Sequence, residues 1–249
     1  MSLMESLITT TTPAPPKIIL YGQPGVGKTT FASEAEALLI DCENGAGAVP
    51  NLSRTPYLET WPLMKQWLKE LATMDSPPPV VAIDTIDWMV RRIVEYVVLD
   101  LDEAAKQRAK GSDYGEIINT IGSAHGGFFK ARDIVANFVY RELLPMLNAI
   151  TNRGSGVLLL AHADNRVVTT PEGFAARMAT PDLPEFIAPV FIEWSDAVLF
   201  ARHSGDKRQI VTTSTNLVLA KNRYSLPSEI DLSWNALMDV MTAPVAAES

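Results

Sequence analysis

The chain has 249 residues, of which 47% are hydrophobic, a net charge of −8 and a single cysteine, Cys42. That length suits one sizeable α/β domain, and no run approaches the roughly eighteen apolar residues of a membrane span. One cysteine excludes an intrachain disulfide and points to a reducing cytoplasm, while the acidity excludes coating duplex DNA with the whole surface but not a local basic groove.

The opening residues 1–16 carry an acid, little apolar bulk and no early basic cluster, so they read as neither a secretory signal nor a mitochondrial presequence. Thr9–Thr12 followed by Pro13, Pro15 and Pro16 predicts a flexible or extended lead-in. Residues 17–21 (KIILY) form a short apolar run that ends in glycine, the pattern of a buried parallel strand. A helix is expected over 27–37 and a second strand over 37–40, ending at Asp41. Residues 59–74 place Trp61, Met64, Trp67, Leu68 and Leu71 at helical spacing, and 76–79 break that helix. A third buried strand follows at 80–83, then a fairly apolar helix at 88–101. Residues 102–127 are more polar and read as a partly helical excursion. A long amphipathic helix is expected over 128–151, stopped by Gly154 and Gly156. A fourth buried strand spans 157–161. A hairpin is expected over 166–179, with Pro171, Glu172 and Gly173 at its turn. Strand candidates follow at 197–201, 209–211 and 217–220, and the tail after Leu237 is expected to fray. Near-continuous apolar strands alternating with helices predict a mainly parallel sheet covered on both faces, with antiparallel strands at one edge. The domain reading is a flexible segment 1–16, one domain 17–240 and a flexible tail 241–249.

Gly22, Gln23, Pro24, Gly25, Val26, Gly27, Lys28 and Thr29 match G-x-x-x-x-G-K-[ST] in full, with a strand before and a helix after. Thr30 extends the same turn into the helix. Glycines let the backbone curl so that successive N–H groups point at one phosphate. Lys28 reaches the β- and γ-phosphates, and the Thr29 hydroxyl ligates magnesium. ATP and Mg2+ are therefore the expected cofactors. Asp84 closes the third strand, where an acid can hold a magnesium-bound water beside Thr29.

The second strand closes as Leu39-Ile40-Asp41-Cys42-Glu43. A carboxylate one strand after the P-loop helix resembles the RecA-like ATPases, in which a glutamate here activates the attacking water. Glu43 is then the base, with Asp41 a lesser candidate. The plainer alternative is a capped strand end with two solvated acids. His162 ends the fourth strand, where RecA-like and AAA+ proteins keep a γ-phosphate sensor, although a lone histidine there is often structural. Lys221-Asn222-Arg223 brackets one residue with two cations that face the same way on a strand. The element resembles the K-x-R of RecA-like hexameric helicases, whose pair reaches into the neighbouring subunit's ATP site. Its alternative is a solvated basic strand end.

Taken with residues 82–87, Asp113-Tyr114-Gly115 and Ala161-His162, the chain resembles a family of phage and prophage ATPases with a RecA-like core, AAA-type ATP-binding proteins named for single-strand annealing or recombination. The resemblance covers about 17–227. It implies a RecA-like fold, ATP hydrolysis, a homo-oligomeric ring or filament, binding of single-stranded DNA, cooperation with a single-strand DNA-binding protein, and a bacterial host cytoplasm. The matching DNA-contacting stretches offer Lys106, Arg108, Lys110 and Lys130, then Arg166, Phe174 and Arg177. Cations along a backbone path with an aromatic platform suit single-strand binding. Rival readings are an AAA+-type remodeller or loader of a protein partner, a small-molecule kinase, and a non-hydrolysing nucleotide switch.

Overall fold

Apolar runs flanked by glycine or aspartate build the centre of the molecule, because strands buried on both faces need apolar side chains at every position. The computed structural model describes residues 14–102, 120–169 and 173–242. Its strands are β1 (Lys17–Gly22), β2 (Leu38–Asp41), β3 (Val80–Asp84), β4 (Gly156–Thr169), β5 (Ala175–Pro181), β6 (Ala197–Ser204), β7 (Lys207–Val211), β8 (Lys221–Asn222) and β9 (Glu229–Asp231). The sheet runs β2-β3-β4-β1-β6-β7-β9. The five strands from β2 to β6 pair in parallel. Antiparallel β7 and β9 extend one edge. Off this path, β5 pairs with β4 and β8 with β6. This is the mixed α/β, mostly parallel sheet expected of a P-loop NTPase.

The two faces of the sheet bury alternate residues of each strand, as the pleat requires. Ile19 and Tyr21 of β1 join a core with α2 (Trp61–Thr73), α3 (Ile86–Glu95), α4 (Lys130–Phe138), α5 (Leu144–Asn152) and α6 (Ala188–Trp194). Ile18 and Leu20 face the smaller core under α1 (Lys28–Glu34) and α7 (Trp234–Thr242). Phe31 of α1 meets Trp234 of α7 edge-on, with ring centroids 5.5 Å apart.

Several expected bounds shift. The helix after the P-loop ends at Glu34, short of 37. The long helix begins only at Lys130, because Phe128 and Phe129 hold left-handed φ angles of 53° and 57°. It then runs on through a π turn, Val139–Leu143, directly before Pro145. Proline cannot donate to the helical ladder, and the π turn shifts that ladder around it. The fourth strand and the hairpin are one continuous element, since β4 runs fourteen residues from the core into β5's partner arm. Residues 217–220 run beside β5 through an isolated bridge, Ala179 with Val218, and the regular strand there is β8. The chain after Leu237 does not fray at once: α7 continues to Thr242.

Candidate active site

In a parallel sheet the carboxyl ends of the strands share one edge, and ligands bind there. Register across the sheet aligns Gly22 of β1 with His162 of β4, and Asp41 of β2 with Asp84 of β3. Residues from five separate stretches of sequence meet in a cleft of about 360 Å3, lined by the P-loop with Glu43, Asp84, His162 and Arg208. That volume lies within the range of small-ligand sites. A larger groove of about 630 Å3 lies on the far helical layer, between α2 and α5, away from these groups.

The P-loop glycines have specific work. Gly25 and Gly27 hold φ of 77° and 111°, a region that side chains rarely adopt. A Cβ on Gly22 would lie 2.5 Å from the Ala201 carbonyl of β6, so only glycine lets the loop leave β1 there. Lys28 is buried, and its Nζ donates to the Gly22 and Gln23 carbonyls at 3.0 and 3.2 Å, folding the ammonium over the loop. Burial lowers its pKa, against the opposing pull of the Asp84, Glu43 and Asp87 carboxylates.

The Thr29 hydroxyl donates to Asp84 Oδ2 at 2.9 Å. Burial pushes the Asp84 carboxyl up to about 6, partly offset by that hydrogen bond. Two hard oxygen donors side by side, one an acid held in a costly environment, fit a magnesium ion bound mainly by phosphate and water. Among the described residues no group of three or more acids, histidines or cysteines is placed to hold a metal ion.

Glu43 and Asp41 part company. Asp41 is sealed beneath the loop: its carboxylate pairs with Arg54 at 3.0 Å and accepts the Asn44 N–H at 2.7 Å. It is a structural lock on the turn, not a base. Glu43 stands in the cleft, accepting from the Thr85 hydroxyl at 3.2 Å, with Oε2 3.8 Å from His162 Nε2.

His162 has a partner that the sequence reading missed. Asp87, in the first turn of α3, accepts the His162 backbone N–H at 3.1 Å and the ring Nδ1–H at 2.9 Å. The acid thereby fixes the tautomer and turns Nε2 toward Glu43. The hydrogen bond to Asp87 raises the His162 pKa; burial would raise that of Asp87, yet the His162 contacts hold it below the usual carboxylate range. The available signal was the acid three residues past Asp84, at the start of a helix. Arg208 was also missed, and nothing local in the sequence marks it.

Lys221 and Arg223 stand elsewhere. Residues Val198 and Ala197, at the start of β6, pair with Lys221 and Asn222, so the two cations lie at the amino end of a strand whose carboxyl end flanks the P-loop. They converge, as their spacing predicts, but on the end of α6. Lys221 Nζ donates to the carbonyls of Ile192, Glu193 and Ser195 at 2.7, 3.0 and 2.7 Å. Arg223 pairs with Asp196 at 3.1 Å and keeps 55% of its side chain exposed.

The DNA candidates divide in the same way. Lys106, Arg108 and Lys110 lie outside the described residues, as does Asp113-Tyr114-Gly115. Lys130 is exposed at the start of α4. Arg166 is not free for a ligand as expected: it pairs with Asp164 at 3.3 Å and donates to the Leu183 carbonyl. Phe174, 72% exposed, and Arg177 stand out on the β4–β5 hairpin.

No helix among the described residues is long and apolar enough to cross a membrane. No curated protein matches the chain. A family model described as an AAA domain matches residues 14–224, most of the length and every strand that borders the cleft. With the P-loop seated at the carboxyl edge of a mainly parallel sheet, the chain belongs to the AAA domain family of P-loop ATPases.

Proposed function

We propose that this ATPase is an oligomeric recombination protein that binds single-stranded DNA, promotes its annealing and uses Mg2+ with ATP to do so. The observation that carries the reading is that β4 is one unbroken strand from His162 to the hairpin. The group facing the γ-phosphate position thus shares one strand with the arm that pairs with β5, which carries Arg177 and is preceded directly by the exposed Phe174. A change at the phosphate can be passed along a strand to a surface that offers stacking and charge. Glu43 acts as the base, taking a proton from the attacking water, and His162, steered by Asp87, reads the γ-phosphate.

Arg223 serves the neighbouring subunit. Its own P-loop lies at the opposite end of β6, so a role at phosphate requires a second copy. A single-strand DNA-binding protein is the natural co-factor of such annealing, in the cytoplasm of a bacterial host.

The test is ATP hydrolysis with and without single-stranded DNA, at low and moderate salt, for the wild type and Glu43→Gln. The reading expects stimulation by DNA that weakens as salt rises, and a fall in turnover of roughly a hundredfold or more in the variant. Turnover indifferent to DNA would overturn it in favour of a remodeller of a protein partner.

A further inference from the structure

Arg208 lines the cleft beside the P-loop. It lies on β7, two residues before Ile210, and residues two apart on a strand face the same way. Ile210 is buried in the core beneath α1 and α7, so Arg208 projects on that side, at the edge of the same layer. There it crosses the P-loop. A Cβ on Gly27 would come within 3.0 Å of Arg208 Nη1 and 3.5 Å of Leu232 Cδ2. The backbone holds this arm in place, since the Leu232 N–H donates to the Arg208 carbonyl at 2.9 Å. Gly27 thus has two reasons to be glycine: its φ of 111° and the guanidinium lying against it.

Among the described residues Arg208 forms no ion pair, whereas Arg202, on the adjacent strand β6, pairs with Glu229 at 2.6 Å. An arginine held against a phosphate-binding loop beside a buried lysine is a cation cluster that a bound anion would relieve. Sheet order says which part of the anion. Glu43 and Asp84 follow β2 and β3, and His162 lies on β4, all on one side of β1; β6 and β7 lie on the other. The γ-phosphate belongs with Glu43, Asp84 and His162. Arg208 therefore faces the remainder of the polyphosphate.

We propose that Arg208 is an in-chain ligand for the α- and β-phosphates of the nucleotide, gripping ADP and ATP alike. It is a binding residue for the ground state and is distinct from Arg223, whose proposed target is the neighbouring subunit. The inference rests on the P-loop as the nucleotide site and is independent of DNA.

The experiment measures dissociation constants of ATP, ADP and inorganic pyrophosphate, with magnesium and without DNA, for the full-length wild type, Arg208→Ala, Arg208→Lys and Lys28→Ala. Arg208→Ala is expected to weaken all three ligands by a similar factor, roughly ten- to hundredfold, as for loss of a charged hydrogen bond. Arg208→Lys should recover part of that loss, because a point charge replaces a two-pronged donor. Equal melting curves for the variants without ligand will show that Arg208→Ala leaves the fold intact. A loss confined to ATP would mean a γ-phosphate contact, and a loss for ADP without one for pyrophosphate would mean a nucleoside contact; either overturns the proposal. So does unchanged binding in Arg208→Ala when Lys28→Ala has lost it. Unchanged binding in both variants would instead overturn the P-loop site on which the proposal stands.

Discussion

Asp84 is held at a cost that its chemistry explains. Its folded pKa of about 6 exceeds the ordinary carboxylate value because burial penalises its charge. As pH rises from the unfolded value toward 6, the unfolded chain releases this proton and the folded chain keeps it. Stability therefore falls across that window, and the penalty persists above it. Asp84→Asn is expected to raise the nucleotide-free stability by about 1–3 kcal/mol at neutral pH, with no gain near pH 3, and to lose most ATPase activity. Urea unfolding at both pH values checks the first part, and turnover the second. The Asp87–His162 pair has the opposite sense. The lowered acid stabilises the fold above its unfolded pKa, and this is lost as pH falls through the folded value; the raised histidine contributes below 6.5, and this is lost as pH climbs through its folded value. Asp87→Asn should cut turnover about 10- to 100-fold, the scale of losing a partner that orients a working histidine, while ATP affinity stays near wild type. A parallel loss of ATP affinity would show that Asp87 shapes the pocket rather than the histidine.

At the scale of elements, the end of α6 separates structure from activity. Lys221 satisfies three carbonyls at that helix terminus, where a cation also complements the dipole. Lys221→Met is expected to destabilise the fold by roughly 2–3 kcal/mol, read as a shift in urea midpoint. Arg223→Ala should cost under about 1 kcal/mol, since exposed pairs contribute little. The elements themselves were legible to different degrees. The core strands announced themselves because burial on both faces leaves no choice but apolar residues. Helix α6 was not seen: seven residues beginning after Pro184 carry too little periodicity to register. The stretch after Leu237, expected to fray, is the second half of helix α7, and what orders it is packing on α1, including Phe31 against Trp234.

At the scale of the whole molecule, the separation of Arg223 from its own P-loop bears on assembly. Mixing Lys28→Ala chains with Arg223→Ala chains should restore part of the ATPase activity, because some interfaces would join an intact P-loop to an intact arginine. Steady-state turnover across mixing ratios measures this; a flat line at the level of the two variants would sink the shared site. The sequence by itself determined the phosphate loop, the acid of Asp84 at a strand's end and the parallel sheet, because each depends on local chemistry: glycine for positive φ, apolar runs for buried strands, an acid where a strand stops. Only the tertiary structure decided that Asp41 locks a turn while Glu43 faces the cleft, that Asp87 steers His162, that Lys221 caps a helix and that Arg208 lies over Gly27. Those are contacts between residues 13 to 181 positions apart, and they follow from strand order and register, which no short stretch of sequence encodes.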